Sequence, residues 1–321
     1  MSPVWAIGLV AGAASALLWL SAQTGSQLAA MLIFFSPLPL YLMVLGWGLV
    51  SCLVAAAVGS LLVAIATGPA NGAIYALVIC LAPFFLGRLA LLNRSLTEAD
   101  GAERAEWYPS GMLLSWAAVI AAVGFMVVGL GFAISGSDLQ AETLKAIGEE
   151  LRPMLKDVVE RQGVLETTGE IDQVVESFVR LVASVTPAAT GAYWIFVTLA
   201  NGAIAQSVLA ATKRAIRPPF TYIDLVLPVW LNMLLAGALV ISFFGGAIGF
   251  IGGSVAAILL TPYFVLGMTV VHAITRGWTT RPLLLGVFYA SIFLLGWPVL
   301  IVVGVGLVEQ WIDIRRIKST V

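Results

Sequence analysis

Charge is what this sequence lacks. Only 10% of its 321 residues are Asp, Glu, Lys or Arg, while 60% are hydrophobic. An ordinary soluble domain carries about 25% charge, so a water-facing surface for this chain is excluded and its main solvent is lipid. The deficit is also patterned. Met1 to Gly87, Trp107 to Ser137, Leu181 to Thr212, Leu225 to Thr275 and Pro282 to Val308 contain no charged residue, and all charges fall in short islands between or after these stretches. Backbone polar groups in hydrocarbon must be satisfied within the segment, so each stretch is predicted to be helical.

Other absences narrow the function. There is a single histidine and no HExxH pattern, which argues against a zinc protease. No Asp or Glu lies deep in an apolar stretch. That excludes paired-aspartate intramembrane proteolysis and disfavours proton pumps and carboxylate-based antiporters. No GxxxxGK[ST] loop is present, so any ATP hydrolysis must come from a partner. The formal net charge of -1 gives no basic footprint for nucleic acid. The two cysteines, Cys52 and Cys80, sit in apolar surroundings and read as small core residues. The N-terminus lacks the basic region of a cleaved signal peptide, so the first apolar stretch is read as a retained span.

What is present is a series of apolar stretches, each near the roughly 20 residues a span needs. They cover about Pro3–Leu20, Leu28–Leu45, Leu49–Ala66, Ala70–Leu92 and Gly111–Ile134. The second is broken by Ser36-Pro37-Leu38-Pro39, and Pro83 is expected to kink the fourth. A charged loop from Asn93 to Glu106 precedes the fifth. Later stretches cover about Pro187–Ala211, Leu225–Phe244, Ser254–Ile274 and Pro282–Val308, with a glycine-rich turn expected over Gly245–Gly253. The last is interrupted by Gly296-Trp297-Pro298; we read it as one tilted span, with a re-entrant hairpin as the alternative.

Between the fifth and sixth stretches the character changes. Ser137–Thr186 carries ten acids and five bases. Leu144, Ile147, Leu151, Met154 and Val158, then Ile171, Val174, Val175, Phe178, Val182 and Val185, recur at helical spacing. Two amphipathic helices outside the hydrocarbon follow, capped by Ser137-Asp138 and by a Thr167/Glu170 capping box. Their apolar faces are expected to pack on each other or on the bundle; a partner surface or a lid is the alternative.

Lys and Arg set orientation. Arg88, Arg94 and Arg104 mark one loop as cytoplasmic, and Lys213, Arg214 and Arg217 mark another. The acidic insertion then faces outward and the N-terminus inward.

Neutral polar groups within the spans are few: Asn71, Asn201, Gln206, Asn232 and His272, with Tyr75, Tyr193 and Tyr263. The first five are the candidate ligand-binding residues. Each also has a plain reading as a helix–helix or interfacial contact. The string ANGAI occurs at Ala70–Ile74 and again at Ala200–Ile204, but opens one span and lies inside the other, as chance repetition in an alanine-rich chain.

Ser36 to Pro69 has a proline-broken short helix, a tight glycine turn and a small-residue helix. This pattern resembles the substrate-binding S components of energy-coupling-factor vitamin transporters. Nearly the whole chain resembles the YybS-like family of bacterial multi-pass membrane proteins. His272-Ala273-Ile274, Arg281-Pro282 and Trp297-Pro298 carry that likeness. That family is similar in fold to S components. The S-component pattern covers the first six spans. The acidic insertion and the C-terminal spans depart from it, and no vitamin-binding motif is matched.

The sequence therefore predicts an all-α, polytopic transmembrane helix bundle of about eight to nine spans. A five-span half covers 1–136, the acidic amphipathic insertion 137–186, the C-terminal spans 187–308 and a polar tail 309–321. The expected role is a small-solute-binding or transport-related component in the bacterial inner membrane, without catalytic residues, metal or cofactor. Its partners would be the lipid bilayer, a small neutral solute and membrane proteins including an ATPase module. The alternative is a non-catalytic scaffold for envelope or division proteins.

Overall fold

The computed structural model describes residues 4–97, 103–162, 168–220, 225–313 and 315. Among the described residues the fold is all-helical apart from one short two-stranded ribbon, as the charge-free stretches require. Two compact units are formed. One comprises Met1–Ala117, Ile195–Pro228 and Tyr263–Val321; the other comprises Ala118–Trp194 and Val229–Pro262.

In the first unit, α1 is Val4–Leu20, followed by a turn of 3-10 helix at Ser21–Thr24. The second span is broken as expected, into α2 (Gln27–Phe34) and α3 (Leu38–Trp47). Helix α4 covers Leu49–Thr67. The fourth span is α5 (Pro69–Tyr75), a π turn at Ala76–Cys80 and α6 (Leu81–Ala90). The predicted irregularity at Pro83 thus takes the form of a widened turn just before it, which relieves the ring's clash with the preceding carbonyl. The core of this unit includes Leu40, Tyr41, Val44, Ala55, Val63 and Tyr75, together with both cysteines, which are buried and unpaired.

The loop at 93–106 contains a β-ribbon that the sequence reading missed. Strands β1 (Asn93–Thr97) and β2 (Glu103–Trp107) pair antiparallel, with Arg94 opposite Glu106 and their side chains in contact. The pairing of opposite charges across the strands supports this register.

Helix α7 covers Ser110–Ile134 and α8 covers Leu139–Gln162. Asp138 caps α8, its Oδ1 accepting from the Gln140 amide at 2.9 Å. The Thr167 of the second predicted cap lies outside the described residues. Helix α9 runs unbroken from Thr168 to Ala211, 44 residues or about 66 Å. The amphipathic second helix and the sixth span are therefore one element, not two meeting at Pro187. The missing amide at Pro187 leaves the Ala183 carbonyl without its helical partner, yet the helix runs on through it; on either side the Thr186 and Thr190 hydroxyls donate to the Val182 and Thr186 carbonyls at 2.7 and 2.9 Å.

The insertion's helices pack on each other as anticipated, but Met154, Val158, Val174 and Phe178 of the expected apolar faces stay out of the contact, and Leu155 and Val159 enter it. Ile171, Val175 and Val179 are buried against Leu144, Ile147, Leu151, Leu155 and Val159. Arg152–Glu176 (3.1 Å) and Lys156–Asp172 (2.5 Å) bridge one flank. Met154, Val158, Val174 and Phe178 project exposed from the helices. Helical angles place them on the opposite flank.

Helix α10 (Val229–Ser242) has only 14 residues, and α11 (Gly246–Ile274) begins almost at once. The glycine-rich segment is thus mostly helical rather than a turn. Its glycines serve close packing: a Cβ on Gly252 would sit 2.7 Å from the Ile241 backbone. Helices α12 (Arg281–Leu295) and α13 (Pro298–Ile312) are bent by 118° at Gly296-Trp297. Each has 15 residues, about 22 Å, shorter than a hydrocarbon core of about 30 Å. The stretch is thus a broken span or a re-entrant loop, the two forms that the Gly296-Trp297-Pro298 interruption allowed.

Among the described residues seven helices are long and apolar enough to cross a membrane, or eight with the bent pair; α10 falls short.

Candidate polar site at the broken second span

A helix break inside a membrane strands carbonyls, and the question is what satisfies them. Pro37 and Pro39 cannot donate. The Leu38 amide turns to Phe35 O and the Leu40 amide to Pro37 O. In an unbroken helix these amides would serve Phe34 and Ser36, whose carbonyls are left over. Two side chains from other elements take them. Asn201 Nδ2 donates to Phe34 O at 2.8 Å, and Ser15 Oγ donates to Ser36 O at 2.6 Å.

The proton directions follow from chemistry. Ser15 has one hydroxyl hydrogen, spent on the Ser36 carbonyl, so at 2.6 Å the Tyr75 hydroxyl must be the donor to Ser15 Oγ. A buried relay runs Tyr75 to Ser15 to Ser36 O. It is closed from behind by Ser36 Oγ donating to Ser15 O at 3.2 Å. Trp19 packs edge-on against the Tyr75 ring at 5.8 Å. Gly59 makes room for the phenol: a Cβ there would lie 2.6 Å from the hydroxyl.

Asn201 is fully buried on α9. Its Nδ2 also donates to Val197 O at 2.8 Å. Both neighbours are carbonyls, so the nitrogen must face them and the amide cannot be flipped. Both amide hydrogens are then used, and Oδ1 is left sealed without a partner. This neutral acceptor stands beside the helix break.

The other predicted residues do not join it. Gln206 is buried on α9 and donates from Nε2 to Arg217 O at 2.7 Å, with its own Oε1 sealed and unpaired. Asn71 is exposed and donates to Thr67 O at 2.9 Å. Asn232 lies half-buried on α10 in the second unit. His272 Nε2 is 2.7 Å from the Tyr289 hydroxyl, and Arg281 Nη2 is 3.5 Å from Nδ1. A guanidinium only donates, so the imidazole proton sits on Nε2.

Ser15, Ser36 and Tyr75 carry the site with Asn201, yet only Tyr75 and Asn201 stood out as polar groups in the sequence. The Ser36-Pro37-Leu38-Pro39 break was the available signal. A buried ion pair was also missed. Glu309 Oε1 on α13 is 2.6 Å from Arg315 Nε, and Arg315 Nη2 donates to Leu225 O at 2.8 Å. Arg315 thus folds back instead of trailing in a tail, while Arg316 and Lys318 lie outside the described residues.

A family model described as "Predicted membrane protein (DUF2232)" matches residues 13–309. No curated protein and no solved structure matches the chain.

Proposed function

The chain belongs to the DUF2232 family of predicted membrane proteins, and from that premise we propose that it binds a small neutral solute inside the bilayer as a transport-related component. One observation carries the reading: the sealed, unpaired Oδ1 of Asn201 beside the broken second span. A buried acceptor without a partner costs about 1–3 kcal/mol, which a solute donor recovers once a shift at the helix break uncovers Oδ1. Interrupted helices with freed backbone groups recur where transporters hold substrate. No charged side chain takes part in this hydrogen-bond network, which suits an uncharged ligand. The resemblance to S components points the same way. In this account the protein is not an enzyme, and energy comes from a partner ATPase module. It resides in the bacterial inner membrane, with the N-terminus cytoplasmic and the insertion outside, by the Lys and Arg count.

Native mass spectrometry on protein purified gently from its own membrane tests this. The reading expects a retained neutral small molecule in wild type that is lost in Asn201→Ala and kept in His272→Ala. Finding no retained or competing solute across a broad neutral panel overturns it.

A second reading, a scaffold for envelope or division proteins, is favoured by the exposed apolar flank of the α8–α9 hairpin, Met154, Val158, Val174 and Phe178. If every co-purifying protein stays bound after deletion of 137–186, that docking role is wrong.

A further inference from the structure

Beyond the end of α9 the chain reads Lys213-Arg214-Ala215-Ile216-Arg217-Pro218-Pro219-Phe220. Its first two cations are exposed, and Arg214 stacks over the Trp47 ring at 5.4 Å. The Ile216 amide then donates to Leu45 O at 3.1 Å, which ties the segment to α3. Arg217 turns inward and is only 7% exposed. Its carbonyl is held by Gln206.

A buried guanidinium normally has a carboxylate beside it. Arg217 makes no ion pair among the described residues. Nη1 donates to Ala90 O at 3.0 Å and to Tyr108 O at 3.4 Å. The plane lies 4.0 Å over the Phe220 ring and 5.8 Å from the Trp107 ring. Glu106, next to Trp107, is already paired with Arg94. Carbonyls and ring faces ease a cation's desolvation but do not neutralise it. Burial pulls the guanidinium down to about 10, so it still carries its charge at neutral pH.

The unused nitrogens define what fits. Nε is sealed without a partner. Nη2 makes no hydrogen bond among the described residues. Together Nε and Nη2 form the side-on fork of the guanidinium, which matches two oxygens of one tetrahedral or planar oxyanion. Arg88, Lys213 and Arg214 are further cations of the same segments, on the last turn of α6 and just after α9. Trp47, Trp107 and Tyr108 are residues that favour the headgroup layer, where phosphate is the abundant oxyanion.

We propose that the unpaired Nε–Nη2 edge of Arg217 binds a phosphate group at the membrane interface, after a small shift of its surroundings uncovers Nε. The group is carried either by an anionic phospholipid or by a soluble phosphate compound. Neither source is needed for the solute reading at Asn201.

The full chain is delipidated in detergent and titrated separately with phosphatidylglycerol, diacylglycerol and inorganic phosphate. Adducts are counted by native mass spectrometry, and stabilisation is followed by thermal unfolding. Wild type is expected to hold one phosphatidylglycerol more tightly than any further ones, and diacylglycerol not at all. Arg217→Gln removes that tight adduct. Arg217→Lys, which keeps the charge without the fork, weakens it roughly tenfold to hundredfold, the equivalent of one charged hydrogen bond. Arg214→Gln leaves it in place. Stabilisation by inorganic phosphate that depends on Arg217, with no tight lipid, assigns the soluble source. Equal binding of diacylglycerol, or a tight lipid unchanged in Arg217→Lys and Arg217→Gln, overturns the proposal. Should Arg217→Gln fail to fold, the Arg217→Lys comparison decides alone.

Discussion

Asn201 on α9 reaches across 167 positions of sequence to hold the Phe34 carbonyl at 2.8 Å. That bond makes a broken helix tolerable in a membrane, because Phe34 O has lost its own amide partner to the proline-rich break.

Removing the amide should therefore expose its cost. Asn201→Ala is expected to destabilise the protein by about 1–3 kcal/mol, the penalty for orphaning a buried carbonyl. Thermal or denaturant unfolding in detergent measures it. A variant as stable as wild type would mean that water or another donor serves Phe34.

The relay from Tyr75 through Ser15 to the Ser36 carbonyl makes an ordering prediction. Ser15→Ala orphans the Ser36 carbonyl and takes from the Tyr75 hydroxyl its serine partner, leaving it Cys80 alone. Tyr75→Phe removes only the terminal donor. Ser15→Ala should thus cost more, by about 1 kcal/mol. Equal costs would argue against the assigned proton direction.

Gly59 offers a coupled test. A methyl there meets the Tyr75 hydroxyl at 2.6 Å and the adjacent ring carbon at 3.1 Å. Gly59→Ala should be destabilising alone, and less so in a Tyr75→Phe background. A double-mutant cycle with no coupling would show that the two residues do not press on each other.

The Glu309–Arg315 pair is buried on both sides, at 1% and 9% side-chain exposure. Glu309→Ala strands a guanidinium and should cost about 3–5 kcal/mol. Replacing both residues with Met is expected to recover much of that loss. A single-variant cost under about 1 kcal/mol would show the pair to be solvated in the membrane-bound protein.

Much of this fold was legible because lipid imposes so strict a rule. The break at Ser36-Pro37-Leu38-Pro39 could be read directly from two residues that cannot donate. The inner faces of α8 and α9 were visible in the spacing of Leu144, Leu151, Ile171 and Val175. Other features had no local signal. Helix α9 runs on through Pro187, while a proline by itself reads as a boundary. The glycines of 246–253 looked like a turn because close packing and turning call for the same residue. Of the five candidate residues, Asn201 is the one placed at the break. Ser15 escaped notice because serine in a span most often bonds its own helix, and its partner here lies 21 positions away. Arg217 was read only as a marker of membrane side, yet it is one of the buried cations.

The most direct test of the central claim is the affinity of a retained neutral solute in wild type against Asn201→Leu, in the same membrane mimic. A ligand hydrogen-bonded to Oδ1 should bind the variant at least roughly tenfold more weakly, while Asn71→Leu, altered at an exposed position, binds as wild type does. An unchanged Kd in Asn201→Leu, or no solute bound to the wild-type protein, would contradict it.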